Sequence, residues 1–163
     1  MSVSVKSTRS PLIGGLVSAL VVAGGGFLLL NLTFLLDFAF HSMVIGLIRR
    51  VGSAEPELGW PWVRPALHGL FVLLIGLISW PVLRSRLGVL AKATFLTVPF
   101  AVVFVTLGMF FYHWPALVYG LGGAFAAGVL AYLYRTRQPW LYAYALILVG
   151  LALLIGSLLG MEI

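Results

Sequence analysis

The side chains able to do chemistry in this chain are few and confined to particular stretches. Three histidines occur, His41, His68 and His113, together with a single aspartate, Asp37. Asp37 and His41 are spaced i, i+4, which puts both on one face of a helix. His68 falls near the start of a second apolar run and His113 at the end of a third, so all four are expected at a similar depth, towards the outer leaflet of a membrane. Three imidazoles and a carboxylate converging there form a Zn or Cu ligand set, and two histidines on different helices can act as axial ligands of a b-type haem. Asp37, His41, His68 and His113 are therefore the predicted metal site. The competing structural reading is an interfacial polar cluster in which the rings face headgroups and Asp37 caps a helix or pairs with Arg49, Arg50 or Arg64. No ligand pair has a spacing such as H-E-x-x-H. The cluster still outranks other candidates, because ionisable groups inside a bilayer are costly and are kept where they do something.

Other chemistries find little support. The chain has no cysteine, which excludes thiolate metal sites, iron–sulfur clusters and cysteine nucleophiles. It has no G-x-S-x-G, no phosphate-cradling loop and no dinucleotide fingerprint. Glu55 and Glu57 point to opposite sides if extended. Coupled transport relies on acidic groups near the midplane, and the later apolar runs contain none.

The elements that must position these residues follow from composition. Of 163 residues, 62% are hydrophobic and 9% charged, against about 25% charged in a soluble domain. Too few charges exist to cover a core in water, so the expected solvent is lipid. The expected fold is an all-α integral membrane protein: one domain, 1–163, with a bundle of five transmembrane helices and an additional outer interfacial helix. Runs 66–83, 93–112, 115–134 and 139–160 lack Asp, Glu, Lys and Arg and are each about long enough to cross. The first stretch, 12–48, is ambiguous. One span there places Lys6, Arg9, Arg84, Arg86, Lys92, Arg135 and Arg137 inside and Arg49, Arg50 and Arg64 outside, seven against three; two spans give five against five. The positive-inside rule selects the first, with a span over 12–35 and an interfacial helix over 36–50. The N-terminus is then cytoplasmic and the C-terminus extracytoplasmic. The same rule accounts for the net charge of +6 without any nucleic-acid partner.

Small residues four apart mark helix contacts in lipid. Gly120, Ala124 and Gly128 form one such stripe, Gly123, Ala127 and Ala131 an adjoining one, and Gly15, Ala19 and Ala23 and the pair Gly156 and Gly160 two more. The first is the predicted closest contact of its span. Gly24, Gly25 and Gly26 read as a packing notch for a bulky neighbour. Pro99 should kink its span and release a carbonyl, for which Thr94 or Thr97 could compensate. The outer loop 51–65, with Trp60, Pro61 and Trp62, is expected to be ordered, non-helical and laid on the membrane.

These observations rank three functions. The first is a small accessory or assembly subunit held in the lipid bilayer against a larger membrane partner or further copies of itself. The second is a metal- or haem-binding protein using the outer histidines. The third is a small oligomeric transporter or lipid-handling protein.

Overall fold

The computed structural model describes residues 11–51 and 63–159. These form five helices and no strand: α1 (Pro11–Val51), α2 (Val63–Arg84), α3 (Val89–Phe110), α4 (Pro115–Arg135) and α5 (Trp140–Leu158). All five are long and apolar enough to cross a membrane. The later four match the predicted runs closely, because short turns with polar or proline residues delimit each. Pro115 opens α4 and Pro139 caps α5, positions where a missing N–H leaves no bond unmade.

Helix α3 is the centre of the molecule and touches all four others. One core, around Val22, Phe100, Leu146 and Val149, joins α1, α3 and α5; a second, around Phe71, Ile75 and Val98, joins α1, α2 and α3. Many large apolar side chains instead face outward, among them Leu12 and Leu16 of α1 and Leu73 and Leu77 of α2.

The first stretch differs from expectation. Residues 36–50 are not a separate helix, since α1 runs unbroken for 41 residues. No turn divides 12–48 into two spans. The physical reason is local. Neither proline nor glycine occurs at Leu35–Leu36–Asp37, and the polar side chains satisfy themselves without leaving the helix: Ser18, Asn31 and Thr33 donate to the carbonyls of Gly14, Phe27 and Leu29 at 2.7–2.9 Å. Such i−4 bonds let polar residues sit within a helix in apolar surroundings.

Two of the three glycines, Gly25 and Gly26, form a notch, and it receives threonines rather than a bulky neighbour. A Cβ on Gly25 would lie 2.7 Å from Thr94 Cγ2, and one on Gly26 would lie 2.8 Å from Thr97 Cγ2. Only hydrogen fits between the α1 backbone and these threonine side chains. From this point α1 and α3 run parallel, Asp37 and His41 coming level with Met109.

The stripe on α4 is turned the other way. Gly120, Ala124 and Gly128 are exposed, as are Gly123, Ala127 and Ala131, and a Cβ on Gly120, Gly123 or Gly128 would meet nothing. Helix α4 packs instead through Gly122, which faces the Phe104 ring, and through Phe125, set edge-on against Phe104 and Phe100 at 5.6 and 6.4 Å. Large aromatic contacts outweigh the close approach that a small stripe permits. Ala124→Leu should therefore alter stability by no more than about 0.5 kcal/mol, whereas Gly122→Leu should cost about 1–3 kcal/mol by overpacking. Thermal unfolding in detergent compares them, and equal losses would count against this orientation of α4.

Helix ends are closed by side chains and turns. Lys92 Nζ donates to Leu83 O at 2.7 Å, filling an orphan carbonyl at the end of α2. Past α4, Gln138 N bonds Leu133 O, Arg137 N bonds Tyr134 O, and Arg137 takes φ 51°. That is a Schellman closure with arginine in the left-handed position glycine normally holds. Pro99 leaves α3 continuous, and Thr97 donates to Thr94 O rather than to the Phe95 carbonyl that the proline releases. Gly156 is buried, whereas Gly160 lies outside the described residues. Most of the 51–65 loop also lies outside them, but Val63, Arg64 and Pro65 already belong to α2.

Candidate functional site

Four polar residues in the C-terminal half of α1 border a groove of about 580 Å³. Asp37, His41, Ser42 and Arg49 supply its polar groups, Phe34, Phe38 and Ile45 its apolar wall, and Met109 of α3 its far side. His41 Nδ1 lies 2.9 Å from Asp37 O and 3.2 Å from Asp37 Oδ1. The carbonyl can only accept, so Nδ1 carries a hydrogen there, and the longer carboxylate contact lacks hydrogen-bond alignment. Asp37 Oδ1 is buried and finds no hydrogen-bond donor among the described residues.

His68, on α2, lies against the C-terminal half of α3. It is 6% exposed, and its Nε2 lies 3.1 Å from Thr106 Oγ1. The Thr106 hydroxyl already donates to Val102 O at 2.6 Å, so His68 Nε2–H is the donor and the ring is fixed as that tautomer. His113 is exposed in the turn after α3, its ring 4.5 Å from that of Tyr112.

The structure thus pairs Asp37 with His41 in a groove that His68 does not line. It commits the His68 Nε2 to Thr106, and leaves His113 against Tyr112. Among the described residues, no three of His, Asp and Glu group closely enough to hold a metal ion.

A second cavity gave no signal in the sequence. It measures about 870 Å³ and lies between α3, α4 and the C-terminal half of α5. Four glycines, Gly108, Gly122, Gly123 and Gly150, contribute no side chain to its wall. Tyr119 OH and Ser157 Oγ, on α4 and α5, meet across it at 3.0 Å. Gly123, read from sequence as part of a contact stripe, instead borders open space. A glycine that opens a cavity and one that admits a neighbour look alike in sequence.

Fold and sites define a class: an all-helical protein with five helices long and apolar enough to cross a membrane, carrying an Asp–His groove and a separate apolar cleft. Comparison with known families, with curated proteins and with solved structures gives no match to this chain.

Proposed function

We propose that this chain is a multi-pass protein of the cell membrane, N-terminus cytoplasmic and C-terminus outside, that serves as an accessory or assembly subunit of a larger membrane complex. The observation that carries the reading is the length of α1. Forty-one residues extend about 60 Å, and a tilt of about 40°, the upper end of the usual range, still leaves about 45 Å to be covered by a hydrocarbon layer of about 30 Å. About 15 of these residues extend beyond the hydrocarbon, and the outermost ones are apolar at both ends: Leu12 and Leu16 at one, Met43 and Leu47 at the other, all exposed. The rest of the chain does not cover them, which favours a partner protein.

The groove adds a second argument. A buried carboxylate oxygen without a donor is costly in low dielectric. The rest of the Asp37 side chain is 30% exposed, so a partner helix lying on this face could supply an N–H or O–H to the carboxylate, giving α1 a polar address as well as an apolar one. The parallel run of α1 and α3 agrees with one crossing per helix and with the seven-to-three distribution of basic residues.

Photo-cross-linking in native membranes tests this reading. A photoreactive side chain at Leu16 or Leu47 should give a discrete protein adduct, and the same group at Leu77 of α2 should give lipid adducts only. The Leu47 adduct should weaken in an Asp37→Leu background. Lipid adducts alone at all three positions would overturn the subunit reading.

A further inference from the structure

We infer that the cleft between α3, α4 and α5 binds one long-chain lipid through a carbonyl oxygen near its head. This goes beyond the subunit proposal and shares only its premise that the chain lies in a membrane. The volume, about 870 Å³, falls within the range of roughly 300–1,000 Å³ that holds a single ligand. No charged residue lines it. A phosphate or ammonium group drawn inside would find no counter-charge and would lose its hydration, so what enters is hydrocarbon and at most neutral polar atoms. The wall suits a chain. Phe104, Leu146 and Leu154 are apolar, and Gly108 and Gly123, beside which a Cβ would meet nothing, leave room between the helices.

The head is specified by the hydroxyl pair. Tyr119 lies in the first turns of α4 and Ser157 in the last turn of α5, so their bond closes the same end of the cleft. Two hydroxyls carry two hydrogens, and their mutual bond uses one. Among the described residues neither oxygen has another hydrogen-bond partner. One O–H is therefore left over at the cleft's end, where both residues are exposed, and it can donate to an acceptor that enters. Tyr112, which also lines the cleft, offers a second phenol. A carbonyl oxygen attached to a long apolar chain satisfies donor and wall together. Glycerolipid esters and isoprenoid quinones both carry one.

The two sources separate by experiment. The protein, extracted in mild detergent, is examined by native mass spectrometry, and its lipids are then extracted with organic solvent and identified by mass and ultraviolet absorbance. The expected result is about one bound lipid per chain, enriched over the surrounding membrane in a single class: a quinone band identifies one source, an ester mass the other. A Cβ on Gly123 meets nothing within 4 Å, so Gly123→Phe should fill the cleft without a clash and lower occupancy at least fivefold. Tyr119→Phe combined with Ser157→Ala leaves the wall in place. It should speed release roughly three- to tenfold, the worth of one neutral hydrogen bond. This pair decides the matter if Gly123→Phe fails to fold. Bound lipid that mirrors bulk composition, or that responds to neither variant, overturns the inference. The membrane premise is read separately: a chain that needs detergent for extraction yet retains no specific lipid keeps the premise and loses the site, and a chain released without detergent loses both.

Discussion

Gly26→Leu is expected to abolish the folded state, and Gly26→Ala to cost about 1–3 kcal/mol, the usual range for overpacking. The added Cβ would meet Thr97 Cγ2 at 2.8 Å, Oγ1 at 3.0 Å and Cβ at 3.2 Å. Thr97 cannot move aside cheaply. It is 1% exposed, and its hydroxyl is held by Thr94 O at 2.7 Å. The alternative is to push α1 away from α3, which would open the core around Val22 along with the notch. Gly24→Ala is the control. No atom lies within 4 Å of a Cβ there, so the change should stabilise α1 by up to about 1 kcal/mol through helix propensity alone. Thermal unfolding of the purified variants should move in opposite directions at these two positions. Equal shifts would show that the Thr97 side chain does not meet the α1 backbone at Gly26.

His68→Ala should cost about 2–4 kcal/mol, because it empties a buried ring-sized volume between α2 and α3. Thr106→Val keeps the shape but leaves His68 Nε2–H without its acceptor, for about 1–3 kcal/mol. The two changes share one hydrogen bond, so the double variant should lose less than the sum. His113→Ala, at an exposed turn, should stay within about 0.5 kcal/mol. Denaturation of the four proteins under one condition gives the comparison. Additive losses at His68 and Thr106 would mean that the 3.1 Å contact carries no energy.

The sequence discloses depth better than direction. Apolar run length and the absence of charge located α2 to α5, because bilayer thickness and helix rise together fix how many residues a crossing needs. The same counting misled at α1, where a run too long for one perpendicular span invited a break after Leu35. Continuity there depends on i−4 bonds from Ser18, Asn31 and Thr33, which composition does not reveal. The histidines show the same division. Similar depth followed from position along each run, but which way a ring points depends on helix rotation, and that is decided by packing. Phe71 and Ile75 turn α2 so that His68 meets Thr106. The Phe104–Phe125 contact turns α4 so that its small stripe faces out. Gly25 and Gly26 were legible as a notch because three successive glycines have few other uses in a helix; the cavity walled by Gly108, Gly122, Gly123 and Gly150 was not, since those glycines are scattered over three helices.

The central place of α3 also sets a calendar for synthesis. Helices α1 and α2 leave the ribosome first, yet they touch each other along only a short stretch, and most of what each buries is supplied by α3. Until Thr94 and Thr97 have been made, the notch at Gly25 and Gly26 has nothing to receive, and His68 has no Thr106 to bond. The nascent chain must therefore carry two loosely associated helices until the third arrives, and α5 can complete the first core only after α4 has turned the chain back. A chaperone or insertase acting on this protein would find its work in that interval, between the completion of α2 and the arrival of α3.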